Sequence, residues 1–124
     1  MPPDDPTLRE IESAATGLLY PSESDEPFTL FHWENVGQTT ARNLIMQHHP
    51  GQSVISMAID SFFEPLKETE DAARFAALRE TLEKSLKGLQ IFRVQVDDAT
   101  IDIYLIGQRS TNDWAGLKTQ SIET

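Results

Sequence analysis

Apolar residues near the start of the chain recur at steps of three and four. In the stretch "LREIESAATGLL" they fall on one helix face, because each such step is close to a full helical turn. Thr7 and Glu10 have the spacing of a capping box at its beginning. The pattern predicts a helix over residues 8–19, which Pro21 ends, and a flexible tail over residues 1–6.

A longer helical pattern occupies the middle of the chain. "EDAARFAALRETLEKSLKG", residues 70–88, has acids at its beginning and lysine and glycine at its end, as the helix dipole and a glycine C-cap favour. Its apolar stripe consists of Phe75, Leu78, Leu82, Leu86 and Leu89. A shorter helix is predicted within residues 37–51, "GQTTARNLIMQHHPG", which opens with threonines and closes with proline and glycine.

Short runs rich in aromatic and β-branched residues predict strands. Residues 28–33, "FTLFHW", form one such run, and residues 54–59 form another. After the second run, Ser61 and Glu64 have capping-box spacing for a short helical turn. At the end of the chain, a turn-rich loop, "STNDWAG", precedes a predicted last strand in "LKTQSIET".

Two neighbouring runs alternate between apolar and polar positions with period two. They are "IFRVQV" and "IDIYLIG", separated by a turn that contains Asp97 and Asp98, and they predict a β-hairpin. One buried face is expected from Phe92, Val94, Val96, Ile101, Ile103 and Leu105. Because helices and strands do not alternate along the chain, we predict an α+β fold, a mainly antiparallel sheet with helices packed on its faces.

Length and charge narrow the class of protein. The chain has 124 residues, which suits a single domain over residues 1–124 with one core. Twenty Asp and Glu against ten Lys and Arg give a formal charge of −10, and this excess argues against direct nucleic-acid binding, which requires a basic stripe. The acidity has two open interpretations. It keeps the protein soluble and monomeric, or it attracts a basic protein partner.

The sequence carries no signal for a membrane or an export route. No apolar run approaches the roughly 20 residues of a membrane helix, and "MPPDDPT" has neither the basic nor the apolar region of a secretion signal. We therefore expect a cytoplasmic protein with no membrane contact. The absence of cysteine excludes disulfides, thiolate zinc sites and cysteine nucleophiles.

The residue types that usually perform catalysis form no convincing site. His48 and His49 are adjacent, so on a helix their rings point about 100° apart, whereas two metal ligands on one face need a spacing of three or four. His32 and Glu34 share a strand face as an acid–base pair would, but a surface pair is the favoured interpretation. No serine lies in a Gly-x-Ser-x-Gly elbow. We predict neither an enzyme nor a cofactor. Trp114 is interpreted as either a lid on the core or a contact residue.

The stretch "PSESDEP", residues 21–27, combines serines and carboxylates between two prolines. Ser22 and Asp25 fit a capping box, but Pro27 and the strand-like run beyond it leave no helix to cap. Three carboxylates within four residues repel one another, so an isolated fold gains no stability from them. A cation or a basic cleft that receives the loop would explain its charge.

Four blocks of the sequence together resemble the nuclease A inhibitor family. They are "GLLYPSESDEPFTLFHWE", "DSFF", "IDIYLIG" and "WAGLKTQSIET", which occur in this order from the first helix to the last residue. The resemblance implies a helix–sheet–helix sandwich similar to the pathogenesis-related-protein-1 type of fold. It also implies an inhibitor that binds a sugar-nonspecific DNA/RNA endonuclease of the ββα-metal type and blocks its active site.

The same resemblance assigns roles to individual residues. Glu23 matches the glutamate of the family's Ser-Glu-Ser loop, which enters the nuclease cleft and faces the catalytic magnesium through water. Thr124 matches the family's terminal threonine, whose hydroxyl and terminal carboxylate reach the same place. A magnesium ion prefers anionic oxygens, so these groups would imitate the substrate phosphate. The surrounding contacts are expected to be Ser22, Ser24, Asp25, Glu26, Trp114 and Glu123.

Two other functions remain open from the sequence. The segment of residues 64–70, "EPLKETE", passes quickly into the long helix, and it motivates an acidic binding module of the same fold for a different basic protein. The third hypothesis, an enzyme that uses His32 and Glu34, has the least support.

Overall fold

The chain folds around one five-stranded sheet that carries helices on both faces. The computed structural model describes residues 5–110 and 112–123. Within these residues the helices are α1 Pro6–Ala15, α2 Ala41–His48, α3 Ile59–Phe63, a 3₁₀ helix Glu64–Glu68 and α4 Ala72–Ser85. The strands are β1 Leu19–Tyr20, β2 Glu26–Pro27, β3 Thr29–Trp33, β4 Val54–Met57, β5 Lys87–Gln95, β6 Thr100–Ser110 and β7 Asp113–Ile122.

The sheet is antiparallel throughout, with the strand order β3-β7-β6-β5-β4. The strands β1 and β2 form a separate two-stranded hairpin. This architecture confirms the predicted α+β class, with the strands concentrated late in the chain. The similarity to the pathogenesis-related-protein-1 type of fold stays a prediction.

Each face of the sheet has its own apolar core. On one face, α1, α3, the 3₁₀ helix and α4 cover the larger cluster, whose fully buried members include Ile11, Leu78 and Leu105. On the other face, α2 covers a smaller cluster around Ile45 and Phe92. Strand β6 therefore contributes side chains to both cores, and residues 101–107 are all buried.

The two cores contradict the prediction that the β5–β6 hairpin has one buried face. Phe92 and Val94 pack in the α2 core, whereas Ile101, Ile103 and Leu105 pack in the opposite one. The reason is the register of the hairpin, in which Phe92 lies opposite Tyr104 and Val94 lies opposite Asp102. Directly opposed residues share a face, so a shift of one residue moves every side chain to the other side. The alternation predicts the strands correctly but leaves the register undetermined.

The first helix begins and ends earlier than its pattern predicts. Asp5 is the N-cap, since its Oδ1 accepts hydrogen bonds from the backbone N–H groups of Thr7 at 2.8 Å and Leu8 at 3.2 Å. The capping role predicted for Thr7 is therefore wrong, and the predicted tail is too long at its end. Pro6 occupies the first helical position, where proline loses no hydrogen bond. The helix ends at Ala15 because Gly17 turns the chain with φ +80°.

Later segments differ in similar ways. The predicted cap at Ser61 is wrong, because α3 begins at Ile59 without a side-chain cap. Helix α4 is confirmed, although Leu86 follows its last residue and Leu89 lies in β5. The loop predicted for "STNDWAG" is largely strand, since β6 runs to Ser110 and β7 begins at Asp113. Trp114 consequently lies on β7, opposite Trp33 of β3.

Candidate functional site

The β1–β2 hairpin carries the acidic loop, residues 21–25, to the end of β7. Leu19 pairs with Pro27 and Tyr20 pairs with Glu26, so the loop closes a very short hairpin. Tyr20 is half-buried and its ring stacks on that of Phe62, with 5.1 Å between the ring centroids. The aromatic packing anchors the base of the hairpin, and the loop itself is exposed.

Hydrogen bonds join the acidic loop to β7. The backbone N–H of Ile122 donates to Ser22 Oγ at 3.0 Å, and the N–H of Glu23 donates to the Ile122 carbonyl at 3.2 Å. Ser22 Oγ also donates to the carbonyl of Ser24 at 2.7 Å. The backbone of the loop therefore contributes to the fold.

The residues of the acidic loop are exposed. Glu23 and Asp25 are exposed, and so are Ser22 and Ser24. Ser24 Oγ donates to Glu26 Oε2 at 3.1 Å, which orients the half-buried side chain of Glu26. The result is negative charge on a hydrogen-bonded backbone, a geometry that suits contact with a cation or a basic surface.

Glu123 is also close to the loop, but its carboxylate is held. Arg93 Nη2 donates to Oε1 at 2.9 Å and to Oε2 at 2.8 Å, and Ser121 Oγ donates to Oε2 at 2.7 Å. The backbone N–H of Glu123 donates to the Ala99 carbonyl at 2.7 Å. These contacts fix Glu123 beside the loop, and Arg93 pairs with its negative charge.

Arg93 is not among the site residues predicted from the sequence. It lies on β5 between Phe92 and Val94, opposite the buried Ile103, at a position whose alternation points to the large core. A single charge at a core-facing position of "IFRVQV" is the signal that could have found it. Burial raises the pKa of Tyr20, and the nearby Arg93 opposes this shift while Glu123 adds to it. The Tyr20 hydroxyl is therefore protonated at neutral pH.

Two predicted site residues do not belong to this group. Trp114 is 6% exposed and packs in the α2 core. It lies near the opposite end of β7 from Ile122, so the structure does not bring it to the acidic loop. Its burial agrees with the interpretation as a core residue. Thr124 lies outside the described residues.

A second cluster of charges occupies the opposite end of β7. Asp113 Oδ1 lies 2.5 Å from His32 Nε2, and its Oδ2 accepts from Arg109 Nη1 at 2.9 Å. Arg109 also pairs with Asp5. The partner of His32 is thus Asp113, and Glu34 follows the end of β3 in an exposed position. The acid–base pair of His32 with Glu34 is not formed.

The other two histidines have separate partners. His48 Nδ1 donates to the Leu44 carbonyl at 2.8 Å, and its ring stacks on Trp33 at a centroid distance of 4.2 Å. His49 Nε2 lies 2.6 Å from the Tyr104 hydroxyl. Among residues 5–110 and 112–123, no three His, Asp or Glu side chains are arranged to hold a metal ion.

Comparison with known proteins identifies one relationship. A family model described as "NuiA: Nuclease A inhibitor-like protein" matches residues 5–124, from the cap of α1 through both sheets. No curated protein matches the chain. In the part of the chain that the structure describes, no helix is long and apolar enough to cross a membrane.

Proposed function

This chain belongs to the nuclease A inhibitor-like family, as its four sequence blocks predict, and from that premise we propose that it inhibits a magnesium-dependent, sugar-nonspecific nuclease of the ββα-metal type. It acts by binding the partner's active site and performs no catalysis of its own. The observation that supports this proposal most directly is the exposed acidic loop, whose backbone is hydrogen-bonded to the end of β7.

Glu23 is the central contact in this proposal. Its carboxylate enters the nuclease cleft and faces the partner's catalytic magnesium, through a water molecule. Magnesium is a hard cation that prefers anionic oxygens and retains several waters, so a carboxylate substitutes for the scissile phosphate. Because a carboxylate offers no phosphodiester bond, the nuclease has nothing to cleave.

The fold prepares the loop for this contact. A flexible loop loses conformational freedom when it binds, and this loss lowers affinity. Here the hydrogen bonds of Ser22 and Glu23 to Ile122 restrict the backbone before binding, and Pro21 and Pro27 restrict it further. Ser24, Asp25 and Glu26 complete the acidic surface around Glu23.

Thr124 takes part in the same contact. It follows Glu123, and the family resemblance assigns its hydroxyl to the metal-facing group. Glu123 contributes by positioning, since Arg93 and Ser121 already hold its carboxylate. We leave Trp114 out of the proposed contact surface because it is buried in the α2 core.

The net charge favours a basic partner. A formal charge of −10 attracts a positively charged cleft over a long range and accelerates association, and salt screens this attraction. The free protein is proposed to be monomeric and cytoplasmic, and it contacts neither nucleic acid nor membrane.

A digestion assay tests the proposal. A purified sugar-nonspecific ββα-metal nuclease is titrated with the protein, and the cleavage of plasmid DNA is followed with magnesium present. We expect cleavage to stop near equimolar protein. Undiminished cleavage at a large molar excess would contradict the proposal for that nuclease. A pull-down from the source cell that recovers a different basic protein would then support the alternative, an acidic binding module.

A C-terminal tag tests the role assigned to Thr124. The tag places additional residues beside Thr124, so we expect the tagged protein to inhibit more weakly than the untagged one. An N-terminal tag of the same composition is the control, because it leaves the surroundings of Thr124 unchanged. Equal inhibition by all three proteins would exclude Thr124 from the contact.

A further inference from the structure

Among the described residues, three large apolar side chains are exposed: Leu19 at 45%, Met46 at 48% and Ile55 at 62%. Single exposed apolar residues are common and need no explanation by themselves. Their positions differ, however. Leu19 lies on the hairpin that carries the acidic loop, and Ile55 lies on β4 opposite Arg93, whereas Met46 lies on α2, the helix on the other face of the sheet.

Ile55 is connected to the acidic loop across the sheet. It lies on the edge strand β4, directly opposite Arg93 of β5, so the two side chains share a face. Arg93 in turn holds Glu123 through two hydrogen bonds. Glu123 follows Ile122, whose backbone binds the loop. A series of contacts therefore links Ile55 to the loop through Arg93 and Glu123.

Leu19 is connected to the loop through the hairpin. It lies two residues before Pro21, opposite Pro27, and both Leu19 and Pro27 are exposed. Tyr20, the next residue, points the other way and packs on Phe62. Leu19 also borders a cleft of about 220 Å³ that Leu30 and Leu117 help to line.

We propose that Leu19 and Ile55, which we call the apolar flanks, contact the same partner as the acidic loop. This inference rests on the proposed function. The partner it requires is a protein with a basic cleft bordered by apolar surface. The flanks add the desolvated contact that the charged loop lacks.

The size of an ordinary interface supports this arrangement. A stable protein complex buries roughly 800 Å² on each partner, and an exposed loop of five residues covers only a part of that area. Interface centres are depleted in charged residues and rich in apolar ones. Charge accelerates the encounter and selects the partner, while apolar burial slows dissociation. The acidic loop supplies the charge, and the apolar flanks supply the apolar surface.

The strand that carries Ile55 is consistent with a contact surface. Edge strands usually protect themselves with charged residues or proline, but β4 has the uncharged sequence "VISM". Arg42 Nη1 donates to the Val54 carbonyl at 2.6 Å, and the side chain of the next residue, Ile55, stays exposed. We infer that Ile55 binds the partner through its side chain.

Three matched substitutions test the apolar flanks. Leu19→Ser and Ile55→Ser each remove one flank, and Met46→Ser removes the third exposed apolar side chain as a control. Binding to the purified sugar-nonspecific nuclease is measured by surface plasmon resonance at several salt concentrations, and thermal unfolding checks the fold. We expect about tenfold weaker binding for each flank variant, mainly through faster dissociation. Met46→Ser should bind within about twofold of the wild type.

Two further variants keep the outcomes distinct. Ile55→Thr retains the β-branched shape that suits a strand, so it separates a loss of apolar contact from a loss of fold. Glu23→Gln tests the loop without changing the flanks. If Glu23→Gln weakens binding while both flank variants match Met46→Ser, the inference is overturned and the proposed function stands. If the wild type forms no complex with the nuclease, the result contradicts the proposed function, and the inference about the flanks falls with it because it requires the same partner.

Discussion

Carboxylates lie at both ends of β7, but the two groups differ in how far their side chains are exposed. At the Asp113 end, Asp113 and Asp5 are partly buried and both pair with the Arg109 guanidinium. At the Ile122 end, the backbone of the acidic loop is hydrogen-bonded while Glu23 and Asp25 are exposed. Charges that are paired and shielded hold the fold together. Charges that are presented on an ordered backbone suit recognition.

The ion pair between Arg93 and Glu123 is intermediate between the two ends of β7. This pair belongs to the Ile122 end, yet it resembles the Asp113 end because both charges are partly shielded and matched. Its effect is positional, since it fixes the chain beside the loop. The end that we propose for recognition thus contains its own structural support.

The largest expected change in stability comes from Arg109→Met. Arg109 contacts Asp113 and Asp5 and is mostly buried, so its removal leaves two carboxylates without their cation. We expect the free energy of unfolding to fall by about 2 kcal/mol. Lys84→Met is the control, because Lys84 forms an exposed pair with Glu10, and such surface pairs contribute little to stability. Urea denaturation measures both.

At temperatures where Arg109→Met is folded, nuclease inhibition should equal that of the wild type. A variant that is stable but inhibits poorly would show that the Asp113 end also takes part in recognition.

A smaller effect on stability, combined with an effect on binding, is expected for Ser22→Ala. The substitution removes the oxygen that accepts from the Ile122 N–H, and with it one connection between the acidic loop and β7. We expect a loss of about 0.5–1 kcal/mol of stability and a several-fold weaker inhibition. Ser13→Ala on α1 is the control, since Ser13 is exposed and lies outside the acidic loop. Equal inhibition by both variants would contradict preorganisation by Ser22.

The smallest effect concerns acid stability at the Asp113 end. Burial opposes ionisation of Asp5, but the N–H groups of Leu8 and Thr7 and the Arg109 guanidinium hold its pKa below the usual 3.8. A carboxyl with a lowered folded pKa stabilises the fold above its unfolded pKa, and this contribution is lost as the pH falls through the folded value. The wild type should therefore lose stability below about pH 4.

Asp5→Asn tests this pH dependence, because asparagine is also a good N-cap but does not ionise. The difference in unfolding free energy between the wild type and Asp5→Asn should shrink as the pH falls from 6 to about 2.5. In an Arg109→Met background the difference should be smaller throughout. A constant difference across this range would refute the assignment.

Much of the fold could be predicted because local patterns determine it. The stripe of Phe75, Leu78 and Leu82 indicates α4, and the alternation of β5 and β6 indicates their pairing. The register of that pair could not be predicted, because the turn at residues 96–99 sets it and a change of one residue would exchange the two faces. The start of α1 was missed because two residues, Asp5 and Thr7, both fit a capping position.

The candidate site could likewise be predicted only in part. The exposure of Glu23 follows from a charged, proline-bracketed segment and could be expected from the sequence. The hydrogen bond from Ile122 to Ser22 joins residues that are 100 positions apart, and no local pattern contains it. The contact of Arg93 with Glu123 depends on the arrangement of β5 beside β6 and β7, which the fold alone provides.

The most direct test of the central claim is the affinity of Glu23→Gln for a sugar-nonspecific nuclease, compared with that of Glu34→Gln. Both substitutions remove one charge from an exposed glutamate, but Glu34 lies beyond β3, near the Asp113 end of β7. We expect Glu23→Gln to raise the dissociation constant by about tenfold or more, and Glu34→Gln to change it by less than about twofold. Equal dissociation constants for the two variants would contradict the assignment of recognition to the acidic loop.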